Sequence, residues 1–241
     1  MADKKRSLVI FANDPGTRNY GYAILRVELT PKKRSSPSAV KRSKGKEPLP
    51  FTLKILPLEH GINRYVLDDL RVGRTMSSQL AAYVDWIKGI AEKHRPEIFA
   101  AERFMVRRAS SGVTTEYVAF MLGTAWSVLL GSSIRAFRFL PAAVWKNAFN
   151  RSSKLRPLEE YYAEVEELRA RGFGVTPHQL DAFLIGVYAA HKAVRASGFE
   201  YLSPTFMTAF RKAAPSLEDT ISTKRSRPKK KPKRRKRRAA T

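Results

Sequence analysis

An α/β fold, one sheet of mixed direction covered by helices, is what this sequence predicts. Three strand-like segments lead the chain, helix and strand patterns then alternate, and helices close it. The 241 residues are 43% hydrophobic and 10% aromatic, enough to bury a sizeable core. The apolar runs are bounded by Pro, Gly, Asn and Asp, the residues that turn a chain.

Residues 7–12 (Ser-Leu-Val-Ile-Phe-Ala) are a continuous apolar run ended by Asn13-Asp14-Pro15-Gly16, the pattern of a buried strand and a turn. Tyr20 to Val27 reads as a second strand, so 14–19 is expected to be a hairpin connection. Residues 31–50 are rich in Lys, Arg, Ser and Pro, and a flexible basic insertion is expected there. Phe51 to Leu58 resumes strand character and completes an antiparallel start to the sheet. Met76 to Lys93 is an amphipathic helix whose Leu80, Val84, Ile87 and Ala91 share a face, with Ser77 or Ser78 as cap and Pro96 as stop. Ile98 to Met105 is a fourth strand, and Thr114 to Leu130 a largely buried helix ending at Gly131. Ile134 to Leu140 is a fifth strand, followed by a short helix from Pro141 to Phe149. Leu158 to Arg169 is amphipathic through Leu158, Tyr161, Tyr162, Val165 and Leu168. The last helix runs from Pro177 to about Arg195. Thr176 stands at its N-cap, Pro177 at its first position and Gln179 three residues past the cap, which together make a capping box. The body is therefore expected over 1–200, a linker over 201–223 and a basic tail over 224–241.

The net charge of +25 is concentrated. Twelve of the fifteen residues from Lys224 to Arg238 are basic, Lys224, Arg225, Lys229, Lys230 and Lys231 among them. Seven more basic residues and no acid lie between Lys32 and Lys46, starting with Lys32, Lys33 and Arg34. Subtracting those nineteen from +25 leaves +6 for everything else. Segments of this kind suit phosphate contacts with counterion release, which bind nucleic acid without reading its sequence. The tail also fits a solubilising or nuclear-targeting role. The absence of cysteine excludes disulfides, Cys-zinc sites, iron–sulfur clusters and thiol nucleophiles. The apolar run Leu8 to Ala12 is too short for a signal peptide. The nearly uncharged stretch Val118 to Ser133 falls short of the roughly 20 residues of a spanning helix. A cytoplasmic protein is expected, with a nuclear one open through the tail, and no membrane partner.

Four residues stand out. Asp14 ends a strand built for burial, at the edge where α/β sheets place ligands, though a turn Asp before Pro-Gly is also common. Glu102 interrupts the apolar Ile98-Phe99-Ala100-Ala101 and Phe104-Met105. A carboxylate there calls for a metal or an Arg, and Arg103, Arg107 and Arg108 are near in sequence. His178 and Asp181, three apart in the first turns of the last helix, point the same way on a helix apolar nearly all round. An Asp at a positive helix N-terminus beside an exposed His is the ordinary alternative. Three carboxylates and one imidazole from separate elements suit Mg²⁺ or Mn²⁺ better than zinc. Two such ions about 4 Å apart could activate water and stabilise a leaving 3′-oxygen.

Asp14-Pro15-Gly16-Thr17-Arg18-Asn19-Tyr20-Gly21-Tyr22 resembles the first-strand motif of RuvC-type Holliday junction resolvases. Ile98 to Met105 looks like their second acidic motif, and His178-Gln179-Leu180-Asp181-Ala182 is similar to their closing helix. The order of elements matches from about residue 7 to 195. The resemblance implies a ribonuclease-H-like fold with a mixed five-stranded sheet. It also implies a site of Asp14, Glu102, His178 and Asp181 holding two divalent ions, with no small-molecule cofactor. The implied protein is a homodimer that nicks branched double-stranded DNA. Lys146 and Lys154 fall where the family carries lysines near the cleaved phosphate, and Arg103, Phe104, Met105, Arg107 and Arg108 would lie against DNA. Ala12-Asn13 replaces a family Gly two residues before the first Asp, and Met105 stands where an aromatic opens the junction, with Phe104 one position away. These divergent motifs and the basic extensions fit a viral or phage-borne relative. Two other classes stay open: a non-cleaving nucleic-acid-binding or packaging protein on this fold, and a nuclease acting on another substrate such as an RNA–DNA hybrid.

Overall fold

A computed structural model describes residues 6–16, 20–31, 51–63, 76–103, 112–151, 155–194, 199–202 and 206. Its sheet contains β1 (Arg6–Asp14), β2 (Tyr20–Pro31), β3 (Phe51–Asn63), β4 (Ile98–Arg103), β5 (Ala136–Pro141) and β6 (Phe199–Leu202). The order across the sheet is β5-β4-β1-β2-β3-β6. β1 pairs antiparallel with β2 and parallel with β4, and β2 pairs antiparallel with β3. The antiparallel opening and the mixed direction are as the sequence predicts. The five expected strands form, and β6 adds a short sixth, parallel to β3 at the far edge. The boundary expected at residue 200 thus falls inside β6, and Phe206 is fully buried with its ring 5.4 Å from that of Phe183. The insertion at 32–50 and the tail lie outside the described residues.

β1 is central because its residues suit burial on both sides: Ile10, Phe11 and Ala12 are each fully buried. Side chains alternate along a strand, so Ile10 and Ala12 join one core and Phe11 the other. Helices α1 (Met76–His94) and α2 (Gly112–Leu129) cover the Phe11 side. Helices α3 (Ala142–Arg151), α4 (Leu158–Ala170) and α5 (Pro177–Val194) cover the other. α1 stops at His94, where Arg95 turns to a left-handed φ of 47° one residue before Pro96. Its expected caps, Ser77 and Ser78, lie inside the helix. The C-terminal end of α1 is tied to β3 through Glu59, which accepts hydrogen bonds from Lys93 (2.6 Å), His94 (2.9 Å) and Tyr22 (3.1 Å). One expectation is corrected: α2 is not largely buried. It buries Val118, Met121, Leu122, Ala125 and Leu129 but leaves Phe120 and Trp126 about half exposed (49% and 48%). Among the described residues no helix is long and apolar enough to cross a membrane.

α5 is the best-anticipated element. The Thr176 N–H donates to Gln179 Oε1 (3.0 Å) and the Gln179 N–H to Thr176 Oγ1 (3.4 Å), which is the expected capping box. From Ala182 to Ala190 every residue is buried. Two glycines bring this helix onto the sheet. A Cβ on Gly21 of β2 would stand 2.1 Å from the His178 carbonyl oxygen, and one on Gly186 would stand 2.5 Å from Leu25 Cδ1 and 3.0 Å from Ala12 Cβ. Only hydrogen at those positions lets the helix lie so close.

Candidate active site

The parallel register sets the first pair. Asn13 of β1 is level with Ala101 of β4, so one residue on, Asp14 and Glu102 emerge side by side at the C-terminal ends of both strands. Asp14 follows Ile10 and Ala12 in alternation, which turns it toward the α5 side. The third member comes from α5. Gly21 is the antiparallel partner of Asp14, and its close contact with the His178 backbone holds the first turn of α5 over that strand end. The His178 Nδ1–H accordingly donates to Asp14 Oδ2 at 2.6 Å, across 164 residues of sequence. Asp181, one turn further on, is half-buried and receives Tyr162 Oη–H on Oδ1 (2.7 Å) and Lys146 Nζ on Oδ2 (3.3 Å). Glu102 accepts the indole N–H of Trp145 on Oε2 at 3.0 Å.

These groups feel one another. Burial, and then the Asp14 charge, raise the Glu102 carboxyl above its ordinary range; Asp181 adds to the rise, while Trp145 and Lys146 oppose it. Asp181 is raised by burial and by Asp14, against the pull of Lys146 and Tyr162. The hydrogen bond to Asp14 lifts the His178 imidazole, and burial works against it. Tyr162 is pushed up by burial and by Asp181, with smaller contributions from Asp14 and Glu102, and so stays a neutral donor. Three partly buried carboxylates that repel one another favour positive charge among them.

The donor chemistry fits a hard divalent cation: carboxylate oxygens with one imidazole nitrogen. Each acid is turned instead toward a proton donor of the protein. Among the described residues no three Asp, Glu or His side chains are gathered as a metal cluster. A cation there would compete with His178 for Asp14 Oδ2 and with Lys146 for Asp181 Oδ2.

Asp14, Glu102, His178 and Asp181 are thus brought to one end of the sheet, and Lys146 joins them, 39% exposed with Nζ 4.9 Å from the Trp145 ring centroid. It is not simply a solvated helix lysine. Arg103 is exposed at the end of β4. Lys154, Phe104, Met105, Arg107 and Arg108 lie outside the described residues, as do Lys32, Lys33, Arg34, Lys224, Arg225, Lys229, Lys230 and Lys231. Two site residues escaped the sequence reading. Trp145 is fully buried and looks like core. Tyr162 packs against the core as the apolar stripe of its helix predicts, but its hydroxyl also reaches Asp181 Oδ1.

No family model and no curated protein matches the sequence. Solved structures do match. The RuvC of T. thermophilus in complex with a Holliday junction substrate has a TM-score of 0.50 and 15% identity, covering 78% of this chain and 96% of that one. A Thermus thermophilus RuvC structure gives 0.49 and 16%, covering 79% and 98%. The yeast mitochondrial Holliday junction resolvase Ydc2 gives 0.43 and 16%, covering 78% and 81%. With β1 to β5 in a mixed sheet and helices on both faces, this chain has the ribonuclease-H-like fold of the RuvC-type resolvases.

Proposed function

We propose that this chain is a divalent-metal-dependent endonuclease that nicks branched DNA, four-way junctions foremost, by phosphodiester hydrolysis. The observation that carries the reading is the meeting of Asp14, Glu102, His178 and Asp181 at one end of the sheet, linked by the His178–Asp14 hydrogen bond and by mutual charge effects. The RuvC whose fold it shares was solved with a Holliday junction substrate, which supports branched DNA as the substrate here.

Asp14, Glu102, His178 and Asp181 would hold two Mg²⁺ or Mn²⁺ ions, which when bound supply activation of water and stabilisation of the leaving 3′-oxygen. The protein's own groups do the rest. Trp145 orients Glu102 through Oε2, and Tyr162 orients Asp181 through Oδ1. Lys146 is placed to neutralise phosphate charge beside Asp181. His178 holds a proton toward Asp14 while the site is free of substrate. Exposed Arg103 and the basic segments supply salt-dependent grip on the duplex arms. Symmetric nicking of two strands calls for a homodimer.

A non-cleaving nucleic-acid-binding protein is the second reading, favoured by the acids being engaged with protein donors rather than gathered. One assay separates the two. Four-way junction, RNA–DNA hybrid and plain duplex are incubated with the full chain, with and without Mg²⁺, alongside Asp14→Asn and Glu102→Gln. Nicking of the junction that needs Mg²⁺ and is lost in both variants, with junction binding retained, is expected. Binding without cleavage of any substrate in Mg²⁺ or Mn²⁺ would leave the second reading.

A further inference from the structure

β6 carries the chain back toward the active site. α5 starts there, with His178 over Asp14, and runs away from it, so that Val194 lies about 24 Å further along the helix axis. Left at that point, everything beyond α5 would hang from the opposite end of the sheet. The strand register reverses this. β3 is antiparallel to β2 and β2 to β1, so β3 and its parallel neighbour β6 run in the direction of β1, whose C-terminal end holds Asp14. Leu202 is level with Lys54, Glu28 and, on β1, Ser7. Four residues later Phe206 is fully buried, its ring 6.0 Å from that of His60. His60 is level with Ala23 and Ala12, two residues short of Asp14. The Phe206 ring also lies 5.4 Å from that of Phe183, two residues past Asp181, which puts it on the sheet face that bears the site.

We propose that β6 and Phe206 fix the root of the basic tail beside the cleft, so that Lys224 to Arg238 binds backbone phosphates of the same duplex arm that the cleft holds. Covering the β3 edge explains β6, but not the anchor at Phe206, which pins the chain at the height of the site. The occupant follows from charge: twelve basic residues in fifteen bind a polyanion through its phosphates. Distance decides how well the tail finds it. Eighteen residues separate Phe206 from Lys224, roughly 23 Å on average for a coil of that length. From Val194 the step would be thirty residues, roughly 30 Å, and would begin at the wrong end of the sheet. A tether's effective concentration falls with its length and with the gap it must span. The buried ring therefore concentrates the tail on DNA at the cleft.

The proposal rests on the DNA-binding part of the reading above, but its test reads position and affinity without Mg²⁺, so cleavage can fail while the proposal stands, and the reverse. The chain has no cysteine, so a single introduced one can carry an iron–EDTA chelate that cuts nearby deoxyribose. Ser222→Cys marks the tail root, Asn147→Cys the exposed side of α3 beside the cleft, and Ala193→Cys the exposed far end of α5. Each labelled full chain is bound to an end-labelled four-way junction. Cuts from 222 are expected on the arm cut from 147 and not where 193 cuts. Two changes should spread the cuts from 222 and weaken binding: Phe206→Ala, its fold checked by circular dichroism, and a Gly/Ser insertion of about eighteen residues between 206 and 222, which leaves the core intact. The insertion doubles the tether, and effective concentration falls as the −3/2 power of length, so affinity should drop about threefold. The slope of log affinity against log salt should stay the same, because the same basic residues still reach phosphate. Where Phe206→Ala does not fold, the insertion decides. Cuts from 222 that coincide with those from 193, or a footprint and affinity indifferent to the insertion, overturn the proposal and leave β6 as cover for the β3 edge.

Discussion

Glu102 and Asp181 show what the site costs the fold. Both carboxyls lie above their ordinary range, chiefly through burial, with Asp14 adding repulsion. A carboxyl raised in the folded state destabilises it wherever the group is ionised, and the penalty fades as pH falls through the folded value. Glu102→Gln is therefore expected to raise the urea midpoint of the metal-free chain at neutral pH, with the gain shrinking as pH falls through the raised folded value, where wild-type Glu102 takes up its proton. A lower midpoint at pH 7 would mean that Glu102 is not under strain. Tyr162→Phe removes one hydroxyl donor from Asp181 and little else. Junction cleavage should drop about 10- to 100-fold, with stability within about 1 kcal/mol of wild type; unchanged cleavage would make the contact incidental. At this scale the acids were legible because a carboxylate inside an apolar strand or helix contradicts its surroundings, as Glu102 and Asp181 both do. Trp145 and Tyr162 were not, because their polar atoms are single groups on side chains that otherwise read as core.

The elements place the site through glycine. α5 can hang His178 over Asp14 only because Gly21 leaves room for the His178 carbonyl. Gly21→Ala is expected to cost about 1–3 kcal/mol in overpacking and to abolish cleavage by lifting the first turn of α5. Gly186→Ala, whose added methyl would press mainly on the end of the Leu25 side chain, should cost stability but keep cleavage. Equal activity loss in the two variants, measured by urea titration and junction nicking, would contradict this division. Most elements could be read beforehand, β1 from its unbroken apolar run and α5 from its capping box. β6 could not, since a four-residue edge strand has no periodicity to detect. The half-exposure of α2 was also hidden, because a helix apolar all round looks the same whether a core or another surface covers it.

The whole molecule combines a mildly basic body with basicity concentrated in two segments. Charge of this kind adds affinity through counterion release without choosing a site. Deleting 224–241 should weaken junction binding and flatten the slope of log affinity against log salt, while cleavage at saturating protein persists. Loss of cleavage at saturation would instead make the tail part of the machinery. The account as a whole depends on side chains far apart in sequence sharing hard cations. Titration of the full chain with Mn²⁺, followed by the loss of the free-ion electron paramagnetic resonance signal, tests this directly. Wild type should take up Mn²⁺, and Asp14→Asn, Glu102→Gln and Asp181→Asn should each weaken uptake at least tenfold; uptake that is absent in wild type, or indifferent to all three substitutions, would contradict it.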